Sequence, residues 1–474
     1  MNINDTLHLA FQSLYLITSL ALVLVLIYEN RNPVKSIAWI TVLIFVPFVG
    51  IIIYLFFGQD YTRMRMLNKR RLKYITDKLH NHNSKEILKE LPSQYQTLAK
   101  LLNYNNQSPL YANNNIRIFT SGKDKIDALF EALNEAQNYI HLQYYIIESD
   151  ELGLSLQDIL IKKSKEGVEV KILYDDVGCW KVPNEYFNKL KEAGVEVLSF
   201  LPVKFHLFTS KVNYRNHRKM VIIDGEIAFM GGMNIADRYI KGTEHGAWRD
   251  THIEIRGSAI NALQAQFLID KQFTDKQTTN IHKYKLNSET EGSSTLQIVQ
   301  SGPFGIFRTI LQGYIKAILS AKKSIYLQSP YFLPTESLLV ALQTAALSGV
   351  DVRLMLPRRS DVYLAHHASR SFIQQMLEAG VKVYLYEAGF LHSKTVIIDD
   401  YLSIVGSVNL DFRSFEHNFE LNSFIYDSEV ASKMKHIFSE DQRHSTRLTL
   451  TEWKARPLKS RMLASLWRLL SPLL

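Results

Sequence analysis

Two tandem α/β domains behind a membrane-embedded amino-terminal segment are what this sequence predicts, and three observations carry the prediction. The chain repeats itself at a long period, each copy alternates β-branched runs with stretches of helical period, and two long runs near the start hold no charged residue. At 474 residues the chain can form two or three domains with full hydrophobic cores, so it needs no disulfide or metal staple. Cys179 is the single cysteine, which excludes an intrachain disulfide. Lys and Arg number 55 against 46 Asp and Glu, a net charge of +9 that favours anionic partners.

Residues 1–60 read as a membrane hairpin. The uncharged runs 7–28 and 36–57 are 22 residues each, long enough to cross a bilayer as two transmembrane helices. A cleaved signal peptide is the competing explanation for the first run, but "MNINDT" lacks Lys and Arg and no small-x-small cleavage site follows. The connection holds Arg31 and Lys35, whereas residues 61–110 begin with Arg63, Arg65, Lys69, Arg70, Arg71 and Lys73. That imbalance predicts a multi-pass cell-membrane protein with the rest of the chain in the cytoplasm. A basic juxtamembrane linker of this kind meets anionic headgroups at about 1 kcal/mol per residue, a solvated helix face being the alternative.

The duplication sets the next boundaries: a first domain at 111–275, a polar linker at 276–295, a second domain at 296–440 and a basic tail at 441–474. "IFTSG" at Ile118 recurs as "IVQSG" at Ile298, and "YIHLQYY" at Tyr139 as "SIYLQSPYF" at Ser324. "EGVEVKILY" at Glu166 recurs as "SGVDVRLML" at Ser348, and "EAGVEVLSF" at Glu192 as "EAGVKVYLY" at Glu378. Helical stretches such as "DALFEALNEAQN" lie between these strand-like runs, and Gly167, Gly194, Gly349 and Gly380 each stand where a helix ends and a strand begins.

The fifth repeated landmark is polar: "HRKMVIIDG" at His217 and "HSKTVIIDD" at His392. Strand alternation predicts His392 and Lys394 on one face, with Asp399 across the turn, where it more naturally fixes the hairpin than meets a ligand. Asp224-Gly225 is a tight-hairpin signal, and the return strands end in "GGMN" at Gly231 and "GSVN" at Gly406. Imidazole, ammonium and carboxamide beside small residues suit an anion, above all phosphate, with a nucleophile next to it. Neither copy carries HExxH or a carboxylate-rich ligand cluster, so no metal and no cofactor are expected. Two copies in register leave inheritance as the competing explanation, and inheritance does not account for costly polar residues on a buried face.

The pattern HxKxxxxDxxxxxxG(G/S)xN stands at His217, Lys219, Asp224, Gly231 and Asn234, and again at His392, Lys394, Asp399, Gly406 and Asn409. It resembles the signature of the phospholipase D superfamily. With the amino-terminal runs, "WRDTH" at Trp248 and "GSVNLDFRSFEHNFELN" at Gly406, the chain is similar to the bacterial cardiolipin synthases. The resemblance implies two phospholipase D-like domains related by a pseudo-twofold axis and sharing one metal-free site. It implies transfer of a phosphatidyl group between two phosphatidylglycerol molecules of an anionic membrane, through a phosphatidyl-histidine. His217 is then the nucleophile and His392 the general acid/base, although the near-symmetry leaves the reverse order open. Lys219, Lys394, Asn234 and Asn409 would grip phosphoryl oxygens, supported by Gly232 and Ser407, and Asp224 and Asp399 complete the motif set. The acidic residue that follows each motif and orients a histidine is matched by Asp250 and Glu420, with Glu416 a nearby competitor.

Two segments keep two readings each. An insertion before His217, "LPVKFHLFTSKVNYRN", mixes Phe205, Leu207, Phe208 and Tyr214 with Lys204, Lys211 and Arg215, suiting either a bilayer headgroup region or a packed loop. The tail from Glu452, with Trp453, Leu463, Leu466, Trp467 and Leu470, suits an interfacial amphipathic helix or a docked terminal one. Rival functions are hydrolysis of the same intermediate by water, a membrane-anchored nuclease and a non-catalytic scaffold. Much of the positive charge flanks the apolar runs and no aromatic-basic nucleic-acid module is present, so no nucleic acid is expected.

Overall fold

The computed structural model describes residues 3–28, 33–46, 48–54, 84–203, 213–244, 246–277, 281–284 and 292–469. Arg31, the basic cluster from Arg63 to Lys73, Lys204 to Lys211 of the insertion, and Leu470 lie outside the described residues. The amino-terminal helices form one compact unit, and the two repeated halves together form a second.

In the first unit, a helix over Ile3–Tyr28 contains the 21-residue apolar stretch His8–Tyr28, long and apolar enough to cross a bilayer. The second expected span is not one helix. It runs over Pro33–Phe45, breaks, and resumes as the short helix Val49–Ile53, with Phe48 at φ 60°. Thirteen residues of helix reach about 20 Å, short of a hydrocarbon core of about 30 Å. The sequence explains the break: Pro47 has no N–H to offer the Leu43 carbonyl four residues back. That carbonyl accepts the Tyr15 hydroxyl from the first helix, and Phe11 stacks on Phe48 at 4.5 Å.

Among the described residues of the second unit, fifteen strands make one continuous sheet. From one edge it runs through 196–200, 169–175, 139–144, 220–223, 227–231 and 252–256 to 111–119. It then passes through 294–301, 420–426, 402–406, 395–398, 324–328, 351–357 and 382–386 to 445–447. The two halves thus repeat one strand order outward from a seam where 111–119 pairs antiparallel with 294–301, Tyr111 opposite Leu296. Ser294 already belongs to that seam, so the polar stretch 276–295 ends inside the sheet. In each half three parallel strands carry helices, and two antiparallel returns bring the repeated motif to the middle.

The helices form where the pattern predicts. Gly122–Glu135 starts at Ser121, whose side chain accepts the Asp124 N–H, and buries Ile126, Leu129 and Leu133 in the first core. Gly167 and its counterpart Gly349 both adopt φ 91°, the left-handed turn from helix to strand that a β-carbon would strain.

Asp224 and Asp399, grouped with the catalytic set by motif, make their contacts at the hairpin turns. Asp224 accepts the backbone N–H groups of Gln137, Asn138 and Tyr139, each at 2.7 Å. Asp399 accepts those of Lys322, Lys323 and Ser324 at 2.7–3.2 Å. Both tie the hairpin turn to the start of the neighbouring strand, about 20 Å of extended chain away from the histidine. Asp224→Ala and Asp399→Ala should therefore each lower stability by about 2–3 kcal/mol. Thermal unfolding will register the loss, while turnover of the folded enzyme well below its melting temperature stays within a few-fold of wild type.

Candidate active site

Each repeated motif approaches the centre as extended chain just before its strand, which begins only at Met220 or Thr395. There the two halves join backbone to backbone. His217 N–H donates to the Phe419 carbonyl at 2.9 Å and Phe419 N–H to the Arg215 carbonyl at 2.9 Å. On the other side 389–391 pairs parallel with 247–249, and His392 N–H donates to the Arg249 carbonyl at 2.7 Å. Each histidine is thereby stitched to the segment of the opposite half that carries a carboxylate.

The carboxylates are crossed. His217 Nδ1 lies 3.0 Å from Glu420 Oε1, and His392 Nδ1 lies 2.6 Å from Asp250 Oδ2. Sequence order paired each acidic residue with the motif before it; in space each serves the histidine of the other half. Glu416 is elsewhere, bonded to Arg308 at 2.9 Å. With Nδ1–H donated to a carboxylate, Nε2 keeps its lone pair, the tautomer needed for attack or proton transfer.

Gly232 and Ser407 support the carboxylates. A β-carbon at Gly232 would fall 2.1 Å from Asp250 Oδ1, so only glycine lets that carboxylate close in. At the equivalent position Ser407 donates its hydroxyl to Glu420 Oε2. The lysines sit deeper than expected. Lys219 Nζ donates to the His217 carbonyl at 2.5 Å, Lys394 Nζ to the His392 carbonyl, and both ammonium groups are buried. Asn234 is also partly used, accepting from Ile146 N–H at 3.2 Å and donating to the Tyr239 hydroxyl at 2.7 Å. Asn409 Oδ1 is buried with no hydrogen-bond partner.

Burial dominates the electrostatics. It pushes His217 down to about 4, against the pull of Glu420, and with Lys394 it also lowers His392. Burial brings Lys219 down to about 7 and lowers Lys394. The carboxylates behave oppositely. Burial alone would raise them, but His217 and Lys219 hold Glu420 down, and Lys394 and His392 hold Asp250 down. The site is thus two anions and two neutral imidazoles over a pair of lysines that an anionic guest would keep charged.

Both histidines, Asn234 and Asn409 line one cavity of about 400 Å³, a size suited to a phosphodiester headgroup. Its wall also holds residues that motif reasoning missed. Tyr145 stands edge-on to His217 at 5.0 Å, and Trp248 lies 5.1 Å from His392. Arg238 and Arg413 both line the cavity, each four residues after the motif asparagine. That shared offset was the available signal. Next to His217 in the chain, Arg218 is fully buried, with Nη1 on Asp270 Oδ1 at 2.6 Å, a pairing of residues 52 apart that no local pattern announces.

A tandem of α/β domains bringing one histidine each to a shared cavity marks the phospholipase D-like class. The family model described as "Cardiolipin synthase, PLD-like domain" matches residues 129–263 and 314–442, and one described as "Phospholipase_D-nuclease N-terminal" matches residues 16–59. The cardiolipin synthase of Alkalihalophilus pseudofirmus is 40% identical over 95% of this chain and 91% of its own length. The major cardiolipin synthase of Bacillus subtilis is 40% identical over 98% of both chains. The crystal structure of phosphatidylserine synthase from Haemophilus influenzae shares the fold, with TM-score 0.63 at 15% identity over 80% of this chain and all of that one. The chain belongs to the cardiolipin synthase family, phosphatidyltransferases of the phospholipase D superfamily.

Glu420→Gln should shift the Nδ1 proton resonance of His217 and spare that of His392; Asp250→Asn should do the reverse. Each should reduce turnover by about 10³–10⁴-fold, the scale of losing a histidine-orienting carboxylate. The pH dependence of stability has a definite sign. An unfolded His217 titrates near 6.5 and the folded one near 4, so between these values the unfolded chain binds more protons. Stability present above pH 6.5 is therefore lost as pH falls toward 4. The melting temperature of His217→Gln should decline less steeply than that of wild type across this window.

Proposed function

We propose that this enzyme makes cardiolipin from two molecules of phosphatidylglycerol through a phosphatidyl-histidine intermediate. The observation that carries the proposal is the pair of imidazoles on one cavity, each with Nδ1 held by a carboxylate. His217, kept a neutral imidazole by the burial that lowers it to about 4, attacks phosphorus through Nε2. The bond from phosphorus to the glycerol oxygen breaks, and protonated His392 delivers its proton to that oxygen. The phosphodiester charge opposes the effect of burial and Lys394 on His392, favouring the protonated form that this step needs.

Glycerol departs, and a second phosphatidylglycerol enters with its terminal hydroxyl toward His392. His392 takes the hydroxyl proton, the oxygen attacks phosphorus, and the phosphorus–nitrogen bond to His217 breaks to release cardiolipin. Lys219 and Lys394 act as buried positive charges under the phosphoryl oxygens, and Asn234 and Asn409 line the same wall. The reaction takes place on the cytoplasmic side of the cell membrane, the side favoured by the basic cluster from Arg63 to Lys73.

Purified enzyme given phosphatidylglycerol vesicles should yield cardiolipin and glycerol in equal amounts. Phosphatidic acid as the sole lipid product would instead make water the acceptor and overturn the transferase reading. His217→Ala and His392→Ala should each abolish cardiolipin formation.

A further inference from the structure

The carboxy-terminal helix Leu458–Arg468 has two apolar faces, and only one is used by the fold. On the inner face Ala464 is buried and Trp467 packs against the core of the second half, while the Arg468 guanidinium lies 4.3 Å over the Phe372 ring. On the outer face Leu458, Met462, Leu466 and Leu469 are 68%, 64%, 56% and 75% exposed. Their spacing of four, four and three residues aligns them in one stripe. A row of four large apolar side chains facing outward marks an interaction surface rather than a requirement of folding.

Charge beside the stripe narrows the partner. The helix contains no acidic residue. Arg370, Arg456 and Arg461 gather next to it, and among the described residues none of the three forms an ion pair, although neighbouring Lys454 and Arg358 reach Glu378 and Glu387 at 3.0 Å. Arg456 lies 3.4 Å over the Trp453 ring, and its Nη1 is buried without a hydrogen-bond partner. Burial, with repulsion from Arg370 and Arg461, brings Arg456 down to about 10. Three uncompensated guanidinium groups call for anions, and the adjoining stripe calls for hydrocarbon. A second copy of this chain would set like charge against like across a twofold contact, which disfavours it as the occupant.

We propose that this surface is a bilayer-docking site, with the Leu458–Leu469 stripe in the acyl boundary and Arg370, Arg456 and Arg461 on the phosphates of anionic phospholipids. The helix it packs against, Tyr363–Glu378, carries Ala365 of the cavity wall and follows directly on Val362 at the same wall. Docking at this surface thereby fixes one side of the cavity relative to the lipid.

The test uses the full-length His217→Ala chain, so lipid composition stays constant and the outcome is independent of the reaction proposed above. Met462→Cys carries an environment-sensitive fluorophore, Cys179 being buried, and Ser439→Cys at an exposed position of the helix Ser428–Arg443 serves as the aqueous control. In nanodiscs of phosphatidylcholine with phosphatidylglycerol, the label at 462 should be blue-shifted and quenched by brominated lipid chains, and the label at 439 should not. In phosphatidylcholine alone the quenching should largely disappear. Arg461→Gln, an exposed change that leaves the Arg456–Trp453 stack intact, should weaken the charge-dependent part about fivefold. A label at 462 equally water-exposed in both lipids, or quenching indifferent to Arg461→Gln, would overturn the proposal. Protection in detergent alone that grows with protein concentration would assign the surface to a second copy and overturn it too.

Discussion

Two buried carboxylates, each in the opposite half from the histidine it holds, are the constraint on which the rest of the catalytic unit depends. Glu420 and Asp250 are inaccessible to solvent, and an unpaired charge there would cost about 3–5 kcal/mol. Glu420 finds compensation in His217 and Lys219, Asp250 in His392 and Lys394. The continuous sheet, the backbone joins at His217 and His392, and the closeness that Gly232 permits all bring these pairs within reach. A half on its own would contain an ionised carboxylate without its imidazole and an imidazole without its tautomer-fixing partner.

The near-symmetric halves differ where function needs them to. His392 stands among Trp248, Phe390 and Tyr239, whereas His217 has Tyr145. Arg238, bonded to Glu148 and stacked over Trp248, is locked in place. Its counterpart Arg413 has no ion-pair partner among the described residues and is near enough to Tyr145 to oppose the effect of burial on that phenol. One side of the cavity is therefore aromatic and electrostatically satisfied, the other more open to a further negative charge. The two histidines therefore have different surroundings within one cavity.

Much of this architecture was legible in the residues. The duplication, the helix-to-strand glycines and the two-histidine motif follow from local patterns, and parity along the motif already separates Asp399 from His392. The crossing was not legible, because sequence order says nothing about which half a carboxylate faces. The lysines, expected at the ligand, also donate to their own histidine carbonyls, a contact that the motif spacing does not announce. The interrupted second apolar run was foreseeable. Counting charges over 36–57 overlooked the hydrogen bond that Pro47 removes, although the proline stood in plain view.

The crossed pairs also impose an order on the making of the protein. Asp250 and His392 are 142 positions apart, and His217 and Glu420 are 203 apart. At ordinary elongation rates the ribosome needs roughly 10–40 s to span such distances. Throughout that interval the nascent first half has a histidine whose carboxylate has not yet been synthesised. The crossed pairs are thus incomplete until translation is nearly finished, and a chain that stops before Glu420 holds His217 without its carboxylate.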